Sequence, residues 1–192
     1  KAIRTFCYGA LGVLLPIYLK DLGFGAKELG ASVTLMLLAG AGLTYAVRRP
    51  AERHGPRVVL ITLSGLTVLS AALFLMTRDP WLVVLAAMLG NVSAGTGETG
   101  PFLALEQVSV ARSIARDALA GFMSYYNLIG YACAALGAAV MGFLGAEIWF
   151  FIFGAAGVLQ MVTYRRWAPV SAPAIATVAQ TPVPPSGPLI RK

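Results

Sequence analysis

The chain has 192 residues, of which 58% are hydrophobic and 12% charged, with a mean hydropathy of +0.76. A soluble domain is about 45–50% apolar and about 25% charged, so the composition excludes an ordinary soluble domain and indicates an integral membrane protein. The net charge of +7 is not the footprint of a nucleic-acid binder, because the basic residues are confined to the ends of apolar runs and the turns between them, where they report orientation.

Six apolar runs predict transmembrane helices at about 3–20, 28–48, 57–77, 81–106, 118–144 and 147–166, followed by a Pro/Ala-rich tail or linker at 167–192. The first carries Gly9, Gly12 and Pro16 at three- and four-residue spacing, a small-residue face that lets membrane helices approach closely. Its polar side chain, Tyr8, reads as an interhelical hydrogen-bonder or as a ligand contact. The second holds Ser32, Thr34 and Thr44, each able to bond its own helix backbone, and closes on the most basic loop of the chain, residues 48–57. His54 in that loop is the sole histidine and has no ligand-spaced partner, so no metal site is expected. Cys7 and Cys133 fall within apolar runs and read as core thiols.

The third run ends at Thr77-Arg78-Asp79-Pro80, a tight turn that makes the third and fourth helices antiparallel neighbours. The fourth starts at Trp81, suited to the headgroup boundary, and passes directly into a polar stretch, residues 89–107. Asn91 and Glu98 lie seven positions apart there, nearly two helical turns, and so share one face. At about 1.5 Å per residue Asn91 falls near mid-bilayer. Gly95-x-Gly97-x-x-Gly100 matches the dinucleotide fingerprint, with Asp117 near the place of the ribose carboxylate, but that fingerprint requires a βαβ unit and the flanks here are long apolar runs. Asn91-Val92-Ser93 matches a glycosylation acceptor, which needs an exposed loop. Pro101, preceded by Gly100, kinks or breaks the helix.

Residues 106–117 form an amphipathic connection carrying Arg112 and Arg116. The fifth run is rich in Gly and Ala, which argues for close packing, and carries a polar belt of Ser124, Tyr125, Tyr126 and Asn127. Of the fifteen basic residues, all but Lys20, Lys27 and Arg78 fall on the side that holds both chain ends. Both termini are therefore expected to be cytoplasmic, in a cell membrane of the bacterial inner or plasma type.

This layout, with a basic second-to-third connection and a long tail after the sixth helix, resembles the N-terminal half of a major facilitator superfamily transporter. Glu52-Arg53-His54-Gly55-Pro56-Arg57 is similar to the family's acidic-basic-x-Gly-x-basic loop, with Arg48 where the family prefers glycine. Asn91-x-x-x-Gly95-x-Gly97 resembles its helix-four pattern, with Asn in place of Arg. The fifth helix is similar to the antiporter signature but has Ala134-Ala135 instead of Gly-Pro. The resemblance implies an all-α half-transporter bundle working by alternating access, with or without proton coupling, on a small-molecule substrate. It implies a gating role for Glu52, Arg53, Gly55 and Arg57, and a cavity-facing coupling role for the position of Asn91. Cavity candidates are Tyr8, Asn91, Glu98, Tyr126 and Asn127. Glu98 is read either as a titrating group, since an intramembrane carboxylate usually marks a pathway, or as an interfacial residue paired with Arg112 or Arg116.

Six helices form one half of such a machine, so the implied partner is a second six-helix bundle, either a missing C-terminal half or a homodimer copy. The rival reading is a non-transporting scaffold or degenerate half in which the polar stripe only glues helices. No cofactor is implied, and no catalytic constellation appears in a credible context, which argues against an enzyme.

Overall fold

The computed structural model describes residues 1–92, 100–114 and 116–166. Among the described residues seven α-helices follow one another: α1 (Ala2–Asp21), α2 (Ala26–His54), α3 (Pro56–Met76), α4 (Pro80–Leu89), α5 (Pro101–Ser113), α6 (Arg116–Val140) and α7 (Ala146–Arg166), with a 3-10 turn at Met141–Phe143 between the last two. Among the described residues there is no strand. Of the helices in the described residues, five are long and apolar enough to cross a bilayer, namely α1, α2, α3, α6 and α7, and α4 is a shorter apolar helix.

Two expectations are corrected. The fourth run, expected as one helix over 81–106, is divided: α4 is 10 residues long, about 15 Å at 1.5 Å per residue, half of a hydrocarbon core of about 30 Å. The second run does not end its helix near residue 48. It continues past Pro50 to His54, so Glu52 and Arg53 are helical rather than in a loop, and the chain turns only at Gly55, whose φ is +83°. Hydropathy marks where a helix leaves the apolar layer; the backbone reverses where a residue accepts a left-handed conformation.

Helix α1 packs against α6 through backbone-close contacts. A Cβ built on Gly9 would stand 2.0 Å from the Ala134 carbonyl oxygen, and one on Gly137 would stand 2.0 Å from the Phe6 carbonyl oxygen. The small-residue face of the first run thus meets the glycine- and alanine-rich fifth run. Helix α3 packs on α7 through side chains, with Gly154 against the Ala71 methyl group and Gly157 against the side chains of Thr67 and Val68. Phe74, Phe150 and Phe153 fill this seam and join Leu11, Leu15, Val83 and Val84 in the larger core. A smaller core of Val47, Val59, Leu60, Leu63 and Phe102 holds α5 against α2 and α3.

The expected α3–α4 turn is capped. Asp79 accepts hydrogen bonds from the Trp81 and Leu82 amides at 2.9 and 3.0 Å, satisfying two of the orphan donors of α4, and Pro80 occupies the first helical position. Asp79→Ala should lower stability by about 0.5–2 kcal/mol, read as a fall in the thermal unfolding midpoint in detergent. Ser32, Thr34 and Thr44 bond to Leu29, Gly30 and Gly40 carbonyls of their own helix, as expected.

At one end Arg78 pairs with Glu147 at 3.2 Å and Phe24 packs on Trp81. At the other, Arg57 donates to the carbonyls of Tyr164 and Arg165 at the end of α7.

Candidate functional site

The end of α4 is built as a stop. The Asn91 amide bonds the Met88 carbonyl at 3.2 Å and the Val92 amide reaches back to Ala87 at 2.9 Å, while Asn91 itself has φ +53°. This is the Schellman closure with asparagine at its left-handed position, where asparagine is the usual substitute for glycine. The Tyr8 hydroxyl donates to the Gly90 carbonyl at 3.1 Å, and Ser70 donates to Ala86 at 2.6 Å. Tyr8 is buried and makes an interhelical hydrogen bond, the first of its two readings.

Asn91 is 9% exposed and reaches toward two glycines. Its Oδ1 lies 3.2 Å from where a Cβ on Gly40 of α2 would stand, and its Nδ2 lies 2.4 Å from the corresponding point on Gly100. Gly100 has φ +118° and caps the start of α5. Beside them lies a cavity of about 630 Å³ between α2, α4 and the start of α5, lined by Met36, Thr44, Tyr45, Arg48, Asn91 and Gly100 among others. The site is therefore mostly apolar, with one amide, one guanidinium and the hydroxyls of Thr44 and Tyr45, at the point where α4 ends.

A second polar cluster was not foreseen. Arg4, only 1% exposed, forms a bidentate pair with Glu106, its two terminal nitrogens 2.7 Å from the two carboxylate oxygens. Tyr126 donates to Glu106 Oε2 at 2.5 Å, Tyr164 donates to Oε1, and the Arg4 guanidinium stacks 4.6 Å from the Phe102 ring centroid. Four helices, α1, α5, α6 and α7, thus converge on one carboxylate. The charge count assigned Arg4 to a flank and Glu106 to a connection. The available signal was that each is a charged residue adjoining an apolar run.

The remaining candidates are dispersed. Tyr126 belongs to this second cluster and not to the Asn91 cavity, and Asn127 is half-buried in α6. Glu98, Gly95 and Gly97 lie outside the described residues, as do the side chains of Arg112 and Arg116. Glu52 is exposed near the end of α2 and pairs with Arg48 at 3.4 Å. Arg57 caps α7 through the bonds given above. Cys7 and Cys133 are free thiols. Among the described residues no cluster of potential metal ligands occurs.

An all-helical bundle that has, among the described residues, five apolar helices of spanning length and a shorter apolar helix ending beside a cavity defines a multi-pass membrane protein. The model of the Major Facilitator Superfamily matches residues 2–190, and the chain belongs to that family of membrane transporters. It is also similar to a Saccharomyces cerevisiae protein described only as an uncharacterised membrane protein, with 25% identity over 140 residues, 73% of this chain. The chain spans 31% of that relative's length. No solved structure matches it.

Proposed function

We propose that this chain is one half of a secondary transporter that moves a small polar or amphipathic molecule by alternating access, with the cavity at Asn91 as part of the transport site. The observation that carries this reading is the interrupted fourth pass. Transporter sites form where membrane helices are discontinuous, because backbone leaves helical geometry within a bilayer only where protein or a cavity surrounds it. Asn91 ends α4 and lines such a cavity.

The complete machine needs a second bundle, from a longer chain or a second copy. Helices α2 and α6 carry exposed apolar side chains, including Leu37, Leu38 and Tyr45 on one and Tyr125, Leu128 and Tyr131 on the other, which supports their facing lipid or that bundle. In this reading both termini are cytoplasmic, and Glu52, Arg53, Gly55 and Arg57 act at the gate on that side.

The test is reconstitution of the full chain, with any second half, into proteoliposomes, screened against a panel of labelled sugars, amino acids, organic anions and cationic dyes. For a molecule that is transported, Asn91→Gly, which removes the amide but keeps the left-handed backbone at the end of α4, should abolish flux while expression and thermal unfolding stay near wild type. Unchanged flux with an altered unfolding midpoint would favour the scaffold reading, in which Asn91 serves only to join helices.

A further inference from the structure

Tyr164 is held at both of its ends. It lies in the last turn of α7, where the carbonyls have no partner within the helix. Arg57, just past the turn at Gly55, donates to two of them, that of Tyr164 at 3.0 Å and that of Arg165, and a cation suits the negative end of the helix dipole. The Tyr164 hydroxyl donates to Glu106 Oε1 and accepts from Arg4 at 3.1 Å. One residue therefore joins the turn between α2 and α3 to the carboxylate on α5.

Glu106 keeps no acceptor for a ligand. A carboxylate offers about four lone-pair sites, and the two terminal nitrogens of Arg4 with the hydroxyls of Tyr126 and Tyr164 occupy them. It is a closed joint that fixes α5 against α1, α6 and α7. Six residues earlier, about 9 Å along the helix, stands Gly100, where a Cβ would lie 2.4 Å from Asn91 Nδ2. Between the two, Phe102 is 2% exposed, in contact with the Arg4 guanidinium and with the core of Val47, Leu60 and Leu63. A helix gripped along this stretch carries a shift at Glu106 to the edge of the Asn91 cavity, since coupling travels through packed side chains, hydrogen bonds and rigid elements.

We infer, on the transport reading given above, that Tyr164 is a positioning residue for the transport site: through Glu106 and α5 it ties the α2–α3 turn to the wall of the Asn91 cavity.

The test reads the cavity without a substrate. In the full chain with Cys7 and Cys133 replaced by alanine, Thr44→Cys on the cavity wall is labelled with a charged thiol reagent in membranes opened to both faces, and the rate is measured. Tyr164→Phe, which keeps the ring and loses the hydroxyl, should raise that rate by about two- to tenfold, because Gly100 no longer stays seated on Asn91. Arg57→Gln should raise it too, yet add little to Tyr164→Phe, since the tie is already cut. In Tyr126→Phe, which takes a hydroxyl from the same carboxylate and leaves the tie whole, Arg57→Gln should keep its full effect. A role in stability alone would give the same Arg57→Gln effect in both tyrosine variants. That result, or a rate unchanged or lowered by Tyr164→Phe, would overturn the inference. Absence of labelling in the parent Thr44→Cys would overturn the transport reading, and the inference with it. If Tyr164→Phe does not fold, Arg57→Gln decides alone, since an unchanged rate there contradicts the assignment.

Discussion

Glu106→Ala is expected to be among the most damaging single substitutions in the bundle, costing about 3–5 kcal/mol, because it leaves the charge of Arg4 buried without its partner. Arg4 is 1% exposed and directs both terminal nitrogens at that carboxylate. The loss should appear as a large fall in the thermal unfolding midpoint and in the yield of monodisperse protein. Glu106→Gln should fall between alanine and wild type, since it keeps an acceptor for the tyrosine hydroxyls but removes the charge. The paired change Arg4→Met with Glu106→Leu should cost less than the sum of the single changes, because no orphan charge remains. If the two singles and the double add within error, the four-helix convergence on this carboxylate is not what holds α5 to α1.

The second large effect concerns the α1–α6 seam. Gly137→Ala and Gly9→Ala each put a methyl group 2.0 Å from a backbone carbonyl oxygen of the facing helix, and backbone cannot rotate away as a side chain can. The helices must separate, at a cost of roughly 1–3 kcal/mol or more for overpacking, and membrane helices have little apolar driving force to compensate. Gly121→Ala in the same α6 meets nothing within 4 Å. It should be neutral or stabilising by up to about 1 kcal/mol, through the lower entropy cost of alanine in a helix. Equal behaviour of Gly121→Ala and Gly137→Ala in thermal unfolding would show that the seam is looser than the structure has it.

Much of the bundle was legible in the sequence because the bilayer imposes long apolar runs with charges between them. Small residues at three- and four-residue spacing pointed to close helix contact, and the contact of Gly9 with Ala134 is of that kind. Two features were not legible. The stop at Leu89 is invisible to hydropathy, because the apolar pattern runs up to it unchanged and the break depends on the backbone angle of one residue, Asn91. The Arg4–Glu106 pair joins positions 102 apart, and no local pattern tells a flanking arginine from a buried one. The candidate site was partly legible for the same reasons. Asn91 stood out as an amide in an apolar run, whereas its glycine neighbours Gly40 and Gly100 became meaningful only once α2 and α5 were placed against it.

The most direct test of the account is whether position 91 is reached from water. In the full chain with Cys7 and Cys133 replaced by alanine, Asn91→Cys is treated in intact membranes with a charged, membrane-impermeant thiol reagent. The account predicts labelling from one side of the membrane, through a cavity between α2, α4 and α5. A cysteine at 91 that resists the charged reagent but reacts with a lipid-soluble one would mean that this face looks into acyl chains, and the transport reading would be wrong.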